Sequence, residues 1–305
     1  MLRKTNPIIA AWLLGLLALA GMAQAPAKVR LVATYTPDSW LIYSATIHTT
    51  ITTHTSQNAN WNARLDTKAE IRLHVLSGAT PNNFQMEARF TSYKTTVTAQ
   101  NPNQQAQLQQ QSAASDQAAT GMKPARFQVS NGHFTILFRQ PGGAYDQAVD
   151  MLSELARTDE LPAGPVAVGA TWTRQRTRGI PETSLSMPLT LHCTLTALSS
   201  GHGQRTATIG VQSSSGINLP PGSLPDSQQL AREGLVPMGK FSFTTTTMAQ
   251  FRTADAVLLD TSSQTHSTMH LDFIGPSPKA ETSDSQIHST GEVKLVKILT
   301  VPGKR

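Results

Sequence analysis

Leu41-Ile42-Tyr43-Ser44-Ala45-Thr46-Ile47-His48-Thr49-Thr50-Ile51 decides the fold class. Leu41, Tyr43, Ala45, Ile47 and Ile51 share one parity, and Ser44, Thr46, His48 and Thr50 the other. Successive side chains of an extended chain point to opposite faces, so the alternation predicts a strand with one apolar and one wet face. The same period recurs at Ala69, Ile71, Leu73 and Val75, and again at Phe84, Met86, Ala88 and Phe90. Half-buried antiparallel strands carry this pattern.

Downstream, Phe127 and Val129 precede Asn131-Gly132, and Phe134, Ile136 and Phe138 follow it. Asn-Gly is the preferred pair for a two-residue type I′ turn, because both central residues need positive φ. That turn predicts Val129 opposite Phe134 and Phe127 opposite Ile136, with both apolar pairs on one face. Residues 145–157 carry Tyr145, Ala148, Val149, Leu152, Leu155 and Ala156 at three-and-four spacing, which predicts an amphipathic helix. Leu189, Leu191, Cys193 and Leu195 return to strand parity, as do Ala207, Ile209 and Val211. Further strands are expected at 241–251, 256–259, 269–273 and 293–299. About ten strands and one helix give a mainly β protein. The expected form is a long antiparallel meander, curved or partly closed like a half-barrel.

Composition agrees: 38 threonines favour strands, and only 14% of the 305 residues are charged. Residues 99–125, rich in Gln, Asn and Ala, offer little to bury and read as a low-complexity polar loop or weak helix. They divide an N-terminal β half, 28–98, from a unit at 126–305 that holds the hairpin, the helix and a C-terminal β half. The second half belongs to the same β domain or forms another.

The N-terminus places Arg3 and Lys4 before an uncharged apolar run from Ile8 to Ala23, the layout of a secretory signal. Sixteen helical residues rise about 24 Å, short of a roughly 30 Å hydrocarbon core, so no permanent membrane span is expected. The signal is assigned to 1–25, with cleavage between 23 and 27. In Leu19-Ala20-Gly21-Met22 a methionine stands where a lipoprotein requires its lipidated cysteine. The expected product is exported, periplasmic or secreted, and not lipid-anchored.

Catalytic signals are missing: there is no G-x-S-x-G elbow, no H-E-x-x-H and no phosphate loop. Cys193 sits on the apolar parity of its strand and reads as a buried, inert thiol. His48 and His54 would lie about 20 Å apart on one strand, and His266 and His270 about 14 Å, so no metal site is expected. No enzyme activity and no cofactor are expected either. A net charge of +4 after loss of Arg3 and Lys4 is too small for a nucleic-acid footprint.

The distinctive charged feature is Trp172-Thr173-Arg174-Gln175-Arg176-Thr177-Arg178. On a strand Trp172, Arg174, Arg176 and Arg178 share one face about 6.8 Å apart. The row forms either a solvated strand face or a site for phosphates and carboxylates of an envelope lipid or polymer.

Just before it, Gly164-Pro165-Val166-Ala167-Val168-Gly169-Ala170-Thr171-Trp172 resembles a P-V-x-V-G-D-x-W phrase of a family of uncharacterised exported bacterial β-rich proteins. The resemblance covers about Leu161 to Phe273, and Ala170 replaces the usual Asp. That family is a domain of unknown function and implies no activity. In architecture the chain is also similar to periplasmic lipoprotein carriers of the LolA type, which hold acyl chains against a curved sheet. The expected function is an exported, non-enzymatic envelope protein that binds a lipid or other hydrophobic or anionic ligand. The alternative is a structural or protein-interaction module with no small ligand.

Overall fold

The computed structural model describes residues 27–56, 60–81, 83–130, 133–138, 151–152, 154–155, 160–179, 185–201, 203–224, 227–232, 234–275 and 281–300. The alternating segments form the strands they predict. Five build the N-terminal wing: β2 (Ser39–Thr55), β3 (Trp61–Val75), β4 (Asn83–Ala99), β5 (Ala125–Ser130) and β6 (His133–Phe138). Six build the C-terminal wing: β8 (Thr171–Gly179), β9 (Ser186–Gly201), β10 (Gln204–Leu219), β11 (Val236–Arg252), β12 (Leu258–Ile274) and β13 (Glu281–Thr300). The order is β6-β5-β4-β3-β2-β13-β12-β11-β10-β9-β8, an eleven-stranded antiparallel sheet. It stays open, with β6 and β8 at its ends. The two halves are two meanders of one sheet, joined where β2 pairs with β13 from Ser39↔Thr300 to Thr55↔Ser283. A second, two-stranded sheet pairs β1 (Lys28–Val29) with β7 (Val166–Ala167).

The hairpin register is the one the apolar pairs require, Phe127↔Ile136 and Val129↔Phe134. The Asn131-Gly132 turn itself lies outside the described residues. β12 and β13 run much longer than the predicted pieces, because Thr261, Ser263, Thr265 and Ser267 hold the inward parity where an apolar residue would have signalled a strand. The residue class changes along the strand while the hydrogen-bonded ladder does not.

One face of the sheet, here the inner face, carries the core. Leu41, Tyr43, Ile71, Leu73, Met86, Phe127, Leu191, Cys193, Leu195 and Ile209 belong to one buried cluster. Each large apolar side chain so buried is worth roughly 1.5–3 kcal/mol. Residues 30–36 cross this face as a strap, with Leu31, Ala33 and Tyr35 buried on alternate positions. Its Thr34 amide donates to the Asp255 carbonyl (3.0 Å), and the Tyr35 ring meets Phe84 edge-on at 4.7 Å. Tyr43 donates to the Leu258 carbonyl at 3.1 Å, satisfying its buried phenol. Residues 151, 152, 154 and 155 are helical, and Leu152 and Leu155 join the same core. The rest of the predicted 145–157 helix lies outside the described residues, as does the signal at 1–25.

Of the two readings of residues 99–125, the helix holds and the polar loop does not. These residues hold a 20-residue helix, α1 (Pro102–Gly121). Asn101 caps it by accepting from the Asn103 amide (2.9 Å), and Pro102 occupies the first turn, where its missing N–H is harmless. β5 pairs with β4 only from Asn83 to Ala88, which leaves the outer edge of β4 open beyond. α1 packs along β4, and Asp116 Oδ2 accepts the Thr95 amide at 2.9 Å. A helix covering an exposed edge is a standard protection against strand pairing with another chain. The gain is edge closure, so the helix needs no strong apolar stripe.

Candidate ligand-binding faces

The row on β8 occupies the core-facing register positions. Trp172, Arg174, Arg176 and Arg178 stand opposite Cys193, Leu191, Leu189 and Met187, all on the core face. The spacing places them on one face as expected, and Trp172, Arg174 and Arg176 are half-buried there. Trp172 Nε1 donates to the Glu160 carbonyl (2.9 Å), and Arg174 donates to the Leu161 carbonyl (2.9 Å). Arg176 is 3.0 Å from Glu154 and 3.9 Å from Glu160, with only 11% of its side chain exposed. The Arg178 side chain lies outside the described residues. Trp172, Arg174 and Arg176 therefore hold Glu154, Glu160 and Leu161 of their own chain against the sheet's edge strand. Arg176 directs its guanidinium at two of the protein's own carboxylates.

The phrase before it makes a tight corner. Gly169 has φ +87, a conformation that favours glycine, and its amide donates to the Leu195 carbonyl at 2.8 Å. Ala170 accepts from the Leu195 amide (3.0 Å), so the corner docks β7 beside β9.

Away from the closed core, the inner face changes character. One cross-strand row reads Ser213, Thr245, Thr265, Ser289, Thr49, and the next reads Ser215, Phe243, Ser267, Ile287, Ile51. A third reads Ile217, Phe241, Met269, Ser285, Thr53, Trp61. Hydroxyls pair across the strands, Thr49 with Ser289 (2.9 Å), Thr53 with Ser285 (2.9 Å) and Thr245 with Thr265 (3.0 Å). Met187, Leu189, Leu219, Phe243 and Leu271 make a second buried cluster at this end, with Leu224 of the β10–β11 connection packed on it. Ile47, Ile51, Leu65, Ile287, Phe241 and Met269 stay half-buried. Among the described residues α1 packs on β4, and a short helix, Ser227–Arg232, against β11.

The outer face is polar and carries five histidines on β2, β12 and β13. A cleft of about 800 Å³ opens there over Gly216, lined by His54, Asn218, Lys240, His270, Asp284 and Gln286. His270 Nδ1 is 2.6 Å from Asp284 and its Nε2 3.2 Å from Asp272. The hydrogen bond to Asp284, then the two carboxylate charges, raise the His270 pKa above the usual histidine value. His48 Nδ1 meets Asp66 at 2.5 Å, and that bond, aided by Arg64, lowers the Asp66 carboxyl. No sequence signal gathers these groups, because they sit on different strands brought together by register. Cys193 is buried in the core, as its parity predicted.

These features define a class: an open, antiparallel β-sheet protein with a sealed apolar end, a half-open amphipathic inner face and a polar outer face. No helix among the described residues is long and apolar enough to cross a membrane. No family model matches the chain, and no curated protein does. Among solved structures it is similar to one titled "Lipid-protein interactions in lipovitellin", at 12% identity and a TM-score of 0.45, covering 89% of this chain and 26% of that one. It is also similar to OccK11 (OpdR) of Pseudomonas aeruginosa, at 8% identity and a TM-score of 0.18, covering 88% of this chain and 99% of that one. The chain thus spans about a quarter of the lipovitellin chain, and neither likeness is close enough to carry an argument.

Proposed function

We propose that this is an exported, non-enzymatic binding protein of the bacterial envelope whose half-open inner face receives an amphipathic, lipid-like ligand. The observation that carries the reading is the pairing of Ile51 with Ile287 and of Phe241 with Met269. All four are half-buried, and a ladder of paired hydroxyls flanks them. Apolar strips supply area for a chain, and the hydroxyls supply donors and acceptors for a polar group. Between β10 and β3 the face spans about 24 Å at strand spacing. Export rests on the Arg3-Lys4 and Ile8–Ala23 layout, with cleavage between 23 and 27. Kinship with the uncharacterised exported family rests on the Gly164–Trp172 phrase.

The test is titration of the mature protein with a fluorescent long-chain fatty-acid analogue. Saturable binding that Ile287→Asp weakens at least tenfold, while outer-face Gln286→Ala leaves it unchanged, is the expected result. Equal binding by both variants, or none by the wild type, removes the inner face as the site. A structural or interaction module would then be the better reading.

A further inference from the structure

His266 and His288 stand directly opposite each other on β12 and β13, on the outer face. Directly opposed residues of antiparallel strands hold their Cβ atoms about 4.5–5.5 Å apart, which lets two imidazoles converge on one point. Both side chains are exposed, and neither has a hydrogen bond or ion pair among the described residues. The contrast with the neighbouring histidines is clear: Asp66 holds His48, Asn60 holds His54 at 2.9 Å, and two carboxylates hold His270. The pair continues into Thr244 on β11 and Thr50 on β2. Those flanks are uncharged, so no adjacent cation opposes a bound ion.

We propose that His266 and His288 form a chelating pair for a divalent transition-metal ion of the copper, nickel or zinc type, with water in the remaining positions. Neutral imidazole is the ligand these ions favour, whereas magnesium and calcium prefer oxygen. Chelation rather than single-site coordination follows from the geometry, because the two rings share one cross-strand position. Among the described residues no group of three or more His, Cys, Asp or Glu side chains surrounds one point, so the site is a two-residue one. The pair is 22 positions apart in sequence and becomes visible only through strand register.

The experiment is calorimetric titration of the tag-free mature protein with copper(II) and with magnesium in a non-coordinating buffer at neutral pH. Expected is a saturable copper site, no magnesium binding, and at least a tenfold loss of copper affinity in both His266→Ala and His288→Ala. The double variant should bind copper no better than either single one, since it loses the remaining imidazole as well. His192→Ala, on the distant β9, should bind as the wild type does. Copper affinity kept within threefold by either single variant, or lost equally in His192→Ala, overturns the proposal. Both histidines are exposed, so unchanged melting temperatures confirm that the variants fold.

Discussion

A methyl group on Gly239 would lie 1.9 Å from the His270 carbonyl oxygen, a backbone atom that cannot step aside. On Gly216, which pairs with Ser242 three positions further along β11, it would meet its nearest atom at an ordinary 3.4 Å. Gly239→Ala should therefore cost about 2–3 kcal/mol in urea unfolding, while Gly216→Ala stays within about 0.5 kcal/mol. Equal effects would mean that β11 and β12 do not approach so closely. At His270 the sign of the pH effect follows from its raised pKa. The two carboxylates bind the protonated ring better than the unfolded chain does. Their contribution is full below the unfolded value of about 6.5 and fades as pH rises through the higher folded value. Exposure screens this contact, so the effect is small. The urea midpoint of His270→Ala should fall furthest behind wild type in mild acid and converge with it in mild alkali. A gap that widens with pH would contradict the ion pairs with Asp284 and Asp272.

For single elements the clearest case is α1. The Asp116 carboxylate ties it to β4 by accepting the Thr95 amide, so Asp116→Ala should destabilise by about 1–2 kcal/mol. Asp116→Asn keeps an accepting oxygen and should lose less than half of that. Deleting residues 100–122 should lower the melting temperature and promote aggregation through the bared β4 edge, measured by light scattering on heating. An unchanged melting temperature would show α1 to be an appendage. Why the helix was hard to read is physical: it buries little more than Ser112 and Ala119, so no apolar period marks it. Asn101-Pro102, a cap followed by a first-turn proline, was the available signal. The 127–136 hairpin was legible because turn chemistry and apolar pairing demand the same register. β8 was legible in spacing but not in orientation. Nothing local to Arg174 or Arg176 announces that Glu154, Glu160 and Leu161 will lie against them.

Across the whole molecule, parity foretold a two-faced antiparallel sheet, and the structure adds that both halves share it. Strand order separates Trp40 from Trp172. Trp40 opens a central strand and stacks on His74 over the outer face at 4.3 Å, whereas Trp172 lies on the edge strand and faces inward. The candidate faces were much less legible than the fold, because each is a row across strands. Thr49 and Ser289, or His266 and His288, meet only once the register is set.

The central claim is that the inner face of this sheet holds an amphipathic ligand in the envelope. Native mass spectrometry of the mature protein recovered from its own envelope fraction tests it most directly, with organic extraction of whatever is bound. The account predicts a discrete added mass that extracts as lipid and is absent from Ile287→Asp prepared in the same way. Wild-type protein at its bare sequence mass, or an adduct equally present in the variant, would contradict it.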